Sequence, residues 1–339
     1  MGNFSYAYAM GRIRAVERKM LGRNHFDRMI ETGSAEDAYR ILREAGYGGA
    51  ESESLFPARD YERLLDTENE KLSEFITEIS PEPRLLSIFL LRYDYHNLKV
   101  LLKTEFSGAV NEPSLSRSGV MEPEKLAGII RDKTLYSLPA PMASGVRDAQ
   151  SAFLQSASIG APDPQVIDIR LDRAMHVHMS GEAGIVGNRF MENLIKIYID
   201  LANINAFLRT RSMGKDIEFL REALIPGGTV SHSVYERFFG DSIDGFISTM
   251  QNTDYSPLCG QGLLSYQTAG QLTIFELDAD NYVNSYIKKA KLYPGGLEVI
   301  AAYYIARQAE FKNIRIVMVG KVNGIAQDVI RERLRECYV

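Results

Sequence analysis

Apolar residues recur at three- and four-residue spacing along most of the chain, which is the pattern of helices that bury one face. The segments with this pattern are 8–20, 61–79, 85–103, 164–179, 189–211, 280–292 and 297–319. No convincing series of alternating strand-like residues interrupts them. The sequence therefore predicts an all-α protein.

Two segments lack this periodicity, 108–122 and 139–161. Both are rich in Ser, Gly, Pro and Ala, a composition typical of connecting segments. We expect both to be loops or linkers.

A five-residue motif occurs three times and divides the chain into thirds. Its copies are Asp94-Tyr95-His96-Asn97-Leu98, Asp200-Leu201-Ala202-Asn203-Ile204 and Glu310-Phe311-Lys312-Asn313-Ile314. The asparagines are 106 and 110 residues apart (203 − 97 and 313 − 203), close to one third of 339 residues. Amphipathic helices in general do not require a fixed acid and asparagine. We therefore predict three homologous helical units, approximately 1–115, 116–225 and 226–339.

Further positions after each asparagine agree between the copies. Apolar residues stand one, four and five positions later, on one face of a helix. Glycine stands eleven positions later each time, as Gly108, Gly214 and Gly324. Glycine just beyond a helix favours a left-handed stop, so these glycines are candidate structural positions.

A second echo involves serine and tyrosine. Ser34 precedes Tyr47 by thirteen residues, and Ser242 precedes Tyr255 by the same distance. The segment 126–136 resembles these two segments less closely. We therefore expect each unit to combine a long helix with a short capped helix. Little chain follows the third motif, so the N-terminal segment could supply its missing partner and close a ring.

Composition and charge exclude several classes of protein. The 339 residues are 45% hydrophobic and 24% charged, as in folded globular proteins, and the net charge of −5 does not favour nucleic-acid binding. Two cysteines, Cys259 and Cys337, are too few for a disulfide framework and suit a reducing cytoplasm. No apolar run approaches the roughly 20 residues that span a bilayer, and the N-terminus lacks the pattern of a signal peptide.

Motifs for nucleotide or covalent chemistry are missing from the sequence. Lysine follows glycine at Gly214-Lys215 and Gly320-Lys321, but the other residues of a phosphate-binding loop are not present. Neither the glycine-rich dinucleotide fingerprint nor a glycine-flanked nucleophilic serine occurs. We therefore expect no catalytic residues, no cofactor and no direct nucleotide binding.

One group of residues has the spacing of metal ligands. Asp168, Asp172 and His176 are four residues apart, which places them on one face of a helix. Arg170 and Arg173 are interleaved with them, so a set of helical ion pairs explains the acids more simply. We favour the ion pairs and expect no metal; a metal-dependent enzyme that uses these three residues is the alternative.

Four segments carry a resemblance to a known family: 6–15, 93–103, 163–173 and 310–334. The second reads Tyr93-Asp94-Tyr95-His96-Asn97-Leu98-Lys99 and includes the first copy of the motif. These segments resemble the C subunit of archaeal and bacterial A/V-type ATPases, whose eukaryotic relative is the d subunit of the vacuolar ATPase. The resemblance spans the whole chain.

The resemblance implies a funnel of three similar helical domains about a pseudo-threefold axis. It further implies a non-catalytic rotor subunit that links central-stalk subunits of the D/F type to the membrane rotor ring. Such a protein transmits the torque that couples ATP synthesis or hydrolysis to proton or sodium transport. It would be a peripheral protein at the cytoplasmic face of the cell membrane.

Two questions stay open at this point. Asn97, Asn203 and Asn313 either line the mouth of the funnel as interface residues or are buried residues that fix helix contacts. The chain as a whole could also be a helical scaffold or adaptor outside the ATPase.

Overall fold

The computed structural model describes residues 5–49, 57–107, 115–158, 160 and 162–339. These residues form sixteen α-helices, some short 3-10 turns and no strand, which confirms the all-α prediction. In chain order the helices are α1 Tyr6–Glu17, α2 Arg23–Glu31, α3 Ala35–Glu44, α4 Tyr61–Ile79, α5 Arg84–Ser107, α6 Pro123–Arg131, α7 Ala140–Ser158, α8 Gln165–Val186, α9 Arg189–Ser212, α10 Ile217–Ala223, α11 His232–Arg237, α12 Ile243–Met250, α13 Gln261–Ala269, α14 Thr273–Lys288, α15 Leu297–Val322 and α16 Gln327–Arg333.

The chain divides into two compact units. Unit 1 contains the described residues of 1–83, 257–265 and 273–339, and unit 2 contains those of 84–256 and 266–272. The three motifs are distributed unequally, with two in unit 2 and one in unit 1. The division of the sequence into three homologous units stays a prediction.

In unit 1, the long helix α15 is central. Ten consecutive residues at its start, 297–306, are almost all buried, as in a helix that is apolar on every side. Helices α1, α2, α3, α4, α14 and α16 all pack against α15 or against its neighbours. Neither α15 nor any other helix in the described ranges is long and apolar enough to cross a membrane.

In unit 2, helix α8 packs against α5, α7 and α9. The prediction of a linker over 139–161 is wrong, because most of this segment forms α7. Its small residues allow close packing: a Cβ on Gly145 would lie 2.5 Å from the Cβ of Ala174 on α8. Alanine is also the strongest helix former. The described part of the other expected linker, 115–122, is non-helical and precedes α6.

Candidate functional site

Each motif asparagine is buried and binds the backbone of a single later residue. Its amide nitrogen donates to the carbonyl oxygen of that residue, and its amide oxygen accepts from the N–H, at 2.7–3.0 Å. The pairs are Asn97 with Ser116, Asn203 with Ile225, and Asn313 with Arg335. The chain that leaves each long helix is thereby tied back to it. Of the two roles left open, this burial and pairing favour the structural one.

We call these clusters the first, second and third anchors, on α5, α9 and α15. Each consists of the motif asparagine, the acidic residue three positions before it, and the backbone and side-chain groups that these two residues bind. In all three the acidic residue is buried, at 0–4% exposure. A buried carboxylate needs hydrogen-bond donors or a cation, and the anchors differ in how these are supplied.

In the first anchor, the carboxylate of Asp94 accepts two backbone hydrogen bonds. The N–H of Val120 donates to Oδ2 at 3.1 Å and the N–H of Met121 donates to Oδ1 at 3.0 Å. A Cβ at Gly119 would lie 2.2 Å from Oδ1, so the close approach requires glycine there. Burial raises the pKa of Asp94 to about 6, and the two N–H donors oppose that rise.

In the second anchor, the carboxylate of Asp200 accepts from four donors. Thr229 contributes its N–H at 2.8 Å and its hydroxyl at 2.6 Å, and Val230 contributes its N–H at 3.1 Å. The hydroxyl of Tyr255 is the fourth donor, at 2.6 Å. A Cβ at Gly228 would lie 2.1 Å from Oδ1, which repeats the close approach of the first anchor.

In the third anchor, Glu310 binds groups from the N-terminal segment. The N–H of Leu21 donates to Oε2 at 3.1 Å, and the hydroxyl of Tyr47 donates to Oε1. Arg307 donates to Oε1 at 2.5 Å and lies 3.8 Å from Glu68. Burial raises the pKa of Glu310, and the Arg307 guanidinium opposes that rise. Residues from near the N-terminus therefore complete the third anchor.

The short helix that follows the backbone N–H donor of each acidic residue begins in the same register in all three anchors. Helices α2, α6 and α11 begin two residues after Leu21, Met121 and Val230. Apolar residues stand five, eight and nine positions after these three residues: Phe26, Met29 and Ile30; Leu126, Ile129 and Ile130; Tyr235, Phe238 and Phe239. The N-terminal segment thus has the relation to α15 that the chain after α9 has to α9. The partner expected for the third motif is present within unit 1.

The serine and tyrosine echo marks a second short helix in two of the three cases. Ser34 and Ser242 cap the starts of α3 and α12, each accepting a backbone N–H from the first turn. The chain then leads to Tyr47 and Tyr255, whose hydroxyls bind the carboxylates of the third and second anchors. The spacing that the sequence showed thus ends, in both cases, at a tyrosine that binds an anchor carboxylate, a role that the sequence analysis did not assign.

The first anchor is less complete. Where a second short helix would follow α6, the chain forms only the 3-10 turn Leu135–Ser137. Tyr136 is 85% exposed and contributes nothing to the anchor. In the described part of the chain, Asp94 accepts only from two backbone N–H groups.

The glycines eleven positions after the second and third asparagines adopt the expected left-handed conformation. Gly214 has φ +62° and Gly324 has φ +65°. After α9, the N–H of Lys215 bonds the carbonyl of Thr210 at 3.1 Å, which closes the helix end. Gly108, the equivalent residue after α5, lies outside the described residues.

Gly214→Ala is expected to lower the free energy of unfolding by about 1–2 kcal/mol, because a Cβ is disfavoured in the left-handed conformation. Gly181→Ala is the matched control, since Gly181 is an exposed position of α8 with open space around it. There alanine should stabilise the chain by about 0.5–1 kcal/mol. Urea unfolding of both variants measures the difference. Effects of the same sign would contradict the helix-stop role.

Asp168, Asp172 and His176 lie along α8, and the two acids pair with lysines of α5. Lys103 donates to Asp168 at 2.6 Å, and Lys99 donates to Asp172. His176 contacts the backbone carbonyl of Asp172 at 2.8 Å through Nδ1. The ion pairs therefore join two helices, instead of linking the acids to arginines of their own helix. No group of three potential ligands that could hold a metal occurs in the described residues.

Sequence reasoning missed Arg307 in the third anchor. It lies six residues before Asn313, where the other two motifs have Leu91 and Ile197. Its guanidinium stacks 5.2 Å from the ring centre of Tyr47, and its side chain is only 12% exposed. A cation at an otherwise apolar repeat position was the available signal.

Comparisons with known proteins agree along nearly the whole length. The model of the family described as "ATP synthase (C/AC39) subunit" matches residues 9–333. The chain is 26% identical to the C subunit of the V-type sodium ATPase of Enterococcus hirae, over 96% of this chain and 97% of that protein. It is 23% identical to the C subunit of the A-type ATP synthase of Methanocaldococcus jannaschii, over 97% and 86%. For the corresponding protein of Haloferax volcanii the identity is 22%, over 98% of both chains.

Proposed function

The chain belongs to the ATP synthase (C/AC39) subunit family, and we propose that it links the central stalk to the membrane ring of an A/V-type rotary ATPase. Members of this family are non-catalytic subunits of that complex, so other subunits catalyse the reactions of ATP. The observation that carries the proposal is the family match over 9–333, a range that contains all three copies of the motif.

Torque transmission needs a body that resists bending and twisting. The helices α5, α9 and α15 have 24, 24 and 26 residues, or about 36–39 Å at 1.5 Å per residue. The anchors tie the segment that follows each helix to its buried face. Long helices with such ties support the role of a rigid connector.

The proposed partners are stalk subunits of the D/F type on one side and the rotor ring on the other. The anchor asparagines are buried, so α5 and α15 would meet a partner through exposed residues such as His96 and Lys312. Polar contacts at such an interface fix orientation more than they add affinity. We further propose a peripheral location at the cytoplasmic face of the membrane and a three-domain funnel.

Purification of the ATPase from cells with and without this chain tests the proposal. Without the chain, we expect the stalk and catalytic head to separate from the membrane ring. The head should still hydrolyse ATP, but hydrolysis should no longer drive proton or sodium transport. Added purified chain should restore coupling.

The matched control for this experiment is chain carrying Gly181→Ala, which changes an exposed position and should restore coupling fully. Ion transport driven by a complex that lacks the chain would contradict the linking role. A chain that purifies with neither stalk nor ring subunits would instead favour an adaptor outside the ATPase.

A further inference from the structure

The first anchor satisfies its buried carboxylate less well than the other two. The second anchor adds two hydroxyl donors to two backbone N–H groups, and the third adds a guanidinium and a hydroxyl. Asp94 is fully buried and accepts only the N–H groups of Val120 and Met121 among the described residues. A buried carboxylate with neither cation nor hydroxyl beside it is costly in its charged form.

We propose that Asp94 and the segment 116–122 form a proton-controlled latch, in which the segment is held more tightly to α5 when Asp94 is protonated than when it is charged. The inference is independent of the rotary role and concerns unit 2 alone. It places a response to pH at the point where the chain passes from α5 towards α6.

The direction of the pH effect follows from the linkage between proton binding by Asp94 and the holding of the segment. Burial raises the pKa of Asp94 to about 6, whereas a carboxyl group released into water returns to its usual 3.8. The held state therefore binds the proton more tightly, and protonation favours it. As pH rises from 4 towards 6, the held state loses this advantage, and above 6 little further changes. The equilibrium constant for holding should fall roughly tenfold between pH 5 and pH 7.

Titratable groups on the neighbouring elements are engaged elsewhere. Tyr95, next on α5, has its hydroxyl 3.3 Å from His178 of α8, and burial lowers the pKa of that imidazole. Arg117 of the latch segment pairs with Glu124 of α6. The residue of α7 that approaches Tyr95 is Gly145, which has no side chain and therefore brings no charge. Within the described residues, burial is thus the main cause of the shift in the pKa of Asp94.

Amide hydrogen exchange of the full chain at pH 5 and pH 7 tests the latch. Rates are converted to protection factors, which removes the intrinsic dependence of exchange on pH. We expect protection of the Val120 and Met121 amides to fall roughly tenfold from pH 5 to pH 7. The Thr229 and Val230 amides are the internal comparison, because the carboxylate that they bind also accepts from two hydroxyl groups, so their protection should fall less.

Asp94→Asn should make the protection of Val120 and Met121 independent of pH. A second measurement, the carbon-13 titration of the Asp94 carboxyl in the unmodified chain, should show a midpoint near 6 and does not depend on how the variant folds. Equal protection at both pH values would overturn the latch, as would a parallel change at Thr229 and Val230. A carboxyl midpoint near 4 would overturn it as well.

Discussion

Replacing Glu310 with glutamine should lower the free energy of unfolding by about 3–5 kcal/mol, the largest effect we expect from a single change in the chain. The substitution leaves the Arg307 guanidinium largely buried without its close carboxylate partner, and arginine cannot lose its charge. Glu68 lies 3.8 Å away and replaces only part of the lost interaction. Urea unfolding monitored by helical circular dichroism measures the change.

Two further variants make this result specific. In the double variant Arg307→Met with Glu310→Gln no charge stays unpaired, so we expect much of the lost stability to return. Glu78→Gln is the matched control, because its ion pair with Arg12 is exposed on both sides and should contribute little to stability. A cost for Glu310→Gln no greater than that of Glu78→Gln would show that the third anchor does not stabilise unit 1.

The second large effect is expected from Asn203→Ala, which should cost about 2–3 kcal/mol. The change leaves the buried N–H of Ile225 without an acceptor, and such a group costs about 1–3 kcal/mol. The carbonyl of Ile225 keeps a contact with His232 at 2.9 Å, so the N–H of Ile225 is the group that loses its hydrogen-bond partner. The small cavity left by the missing amide adds to the cost. Denaturant unfolding measures the total.

The control for this variant is Asn252→Ala, since Asn252 is exposed and its amide bonds a backbone carbonyl of its own helical turn. There we expect a change within about 0.5 kcal/mol. The same proteins also decide between the two roles of the asparagine. If Asn203→Ala keeps full stability but no longer binds stalk subunits, the interface role is correct and the structural role is wrong.

The anchors were predictable where a side chain carries the interaction. The motif fixes Asn203 because only an amide both donates to and accepts from one peptide group, and this requirement repeats with the helix that presents it. Gly214 is predictable for a similar reason, since the left-handed stop disfavours a Cβ. The spacing from serine to tyrosine marked Tyr47 and Tyr255, although not the carboxylates that they bind.

Other parts left no trace in the sequence. Leu21 and Met121 bind carboxylates through backbone N–H groups, which any residue except proline supplies, so their side chains do not reveal the role. The small residues of α7 look like a linker, because the sequence does not show that Gly145 allows close approach to another helix. The partners of Asp168 and Asp172 come from a different helix, α5. The spacing of residues within α8 cannot reveal contacts with another helix.

The contact between Leu21 and Glu310 has a consequence for how the protein is made. The two residues are 289 positions apart, whereas Asp94 and Met121 are 27 apart. On the ribosome, the first anchor is complete soon after α6 emerges, but α2 and α3 wait for nearly the whole chain before α15 is there to receive them. Such distant pairing is slow to form and leaves apolar surface exposed meanwhile. Helices α2 and α3 are thus synthesised long before the helix that buries them, and they reach their packed positions late.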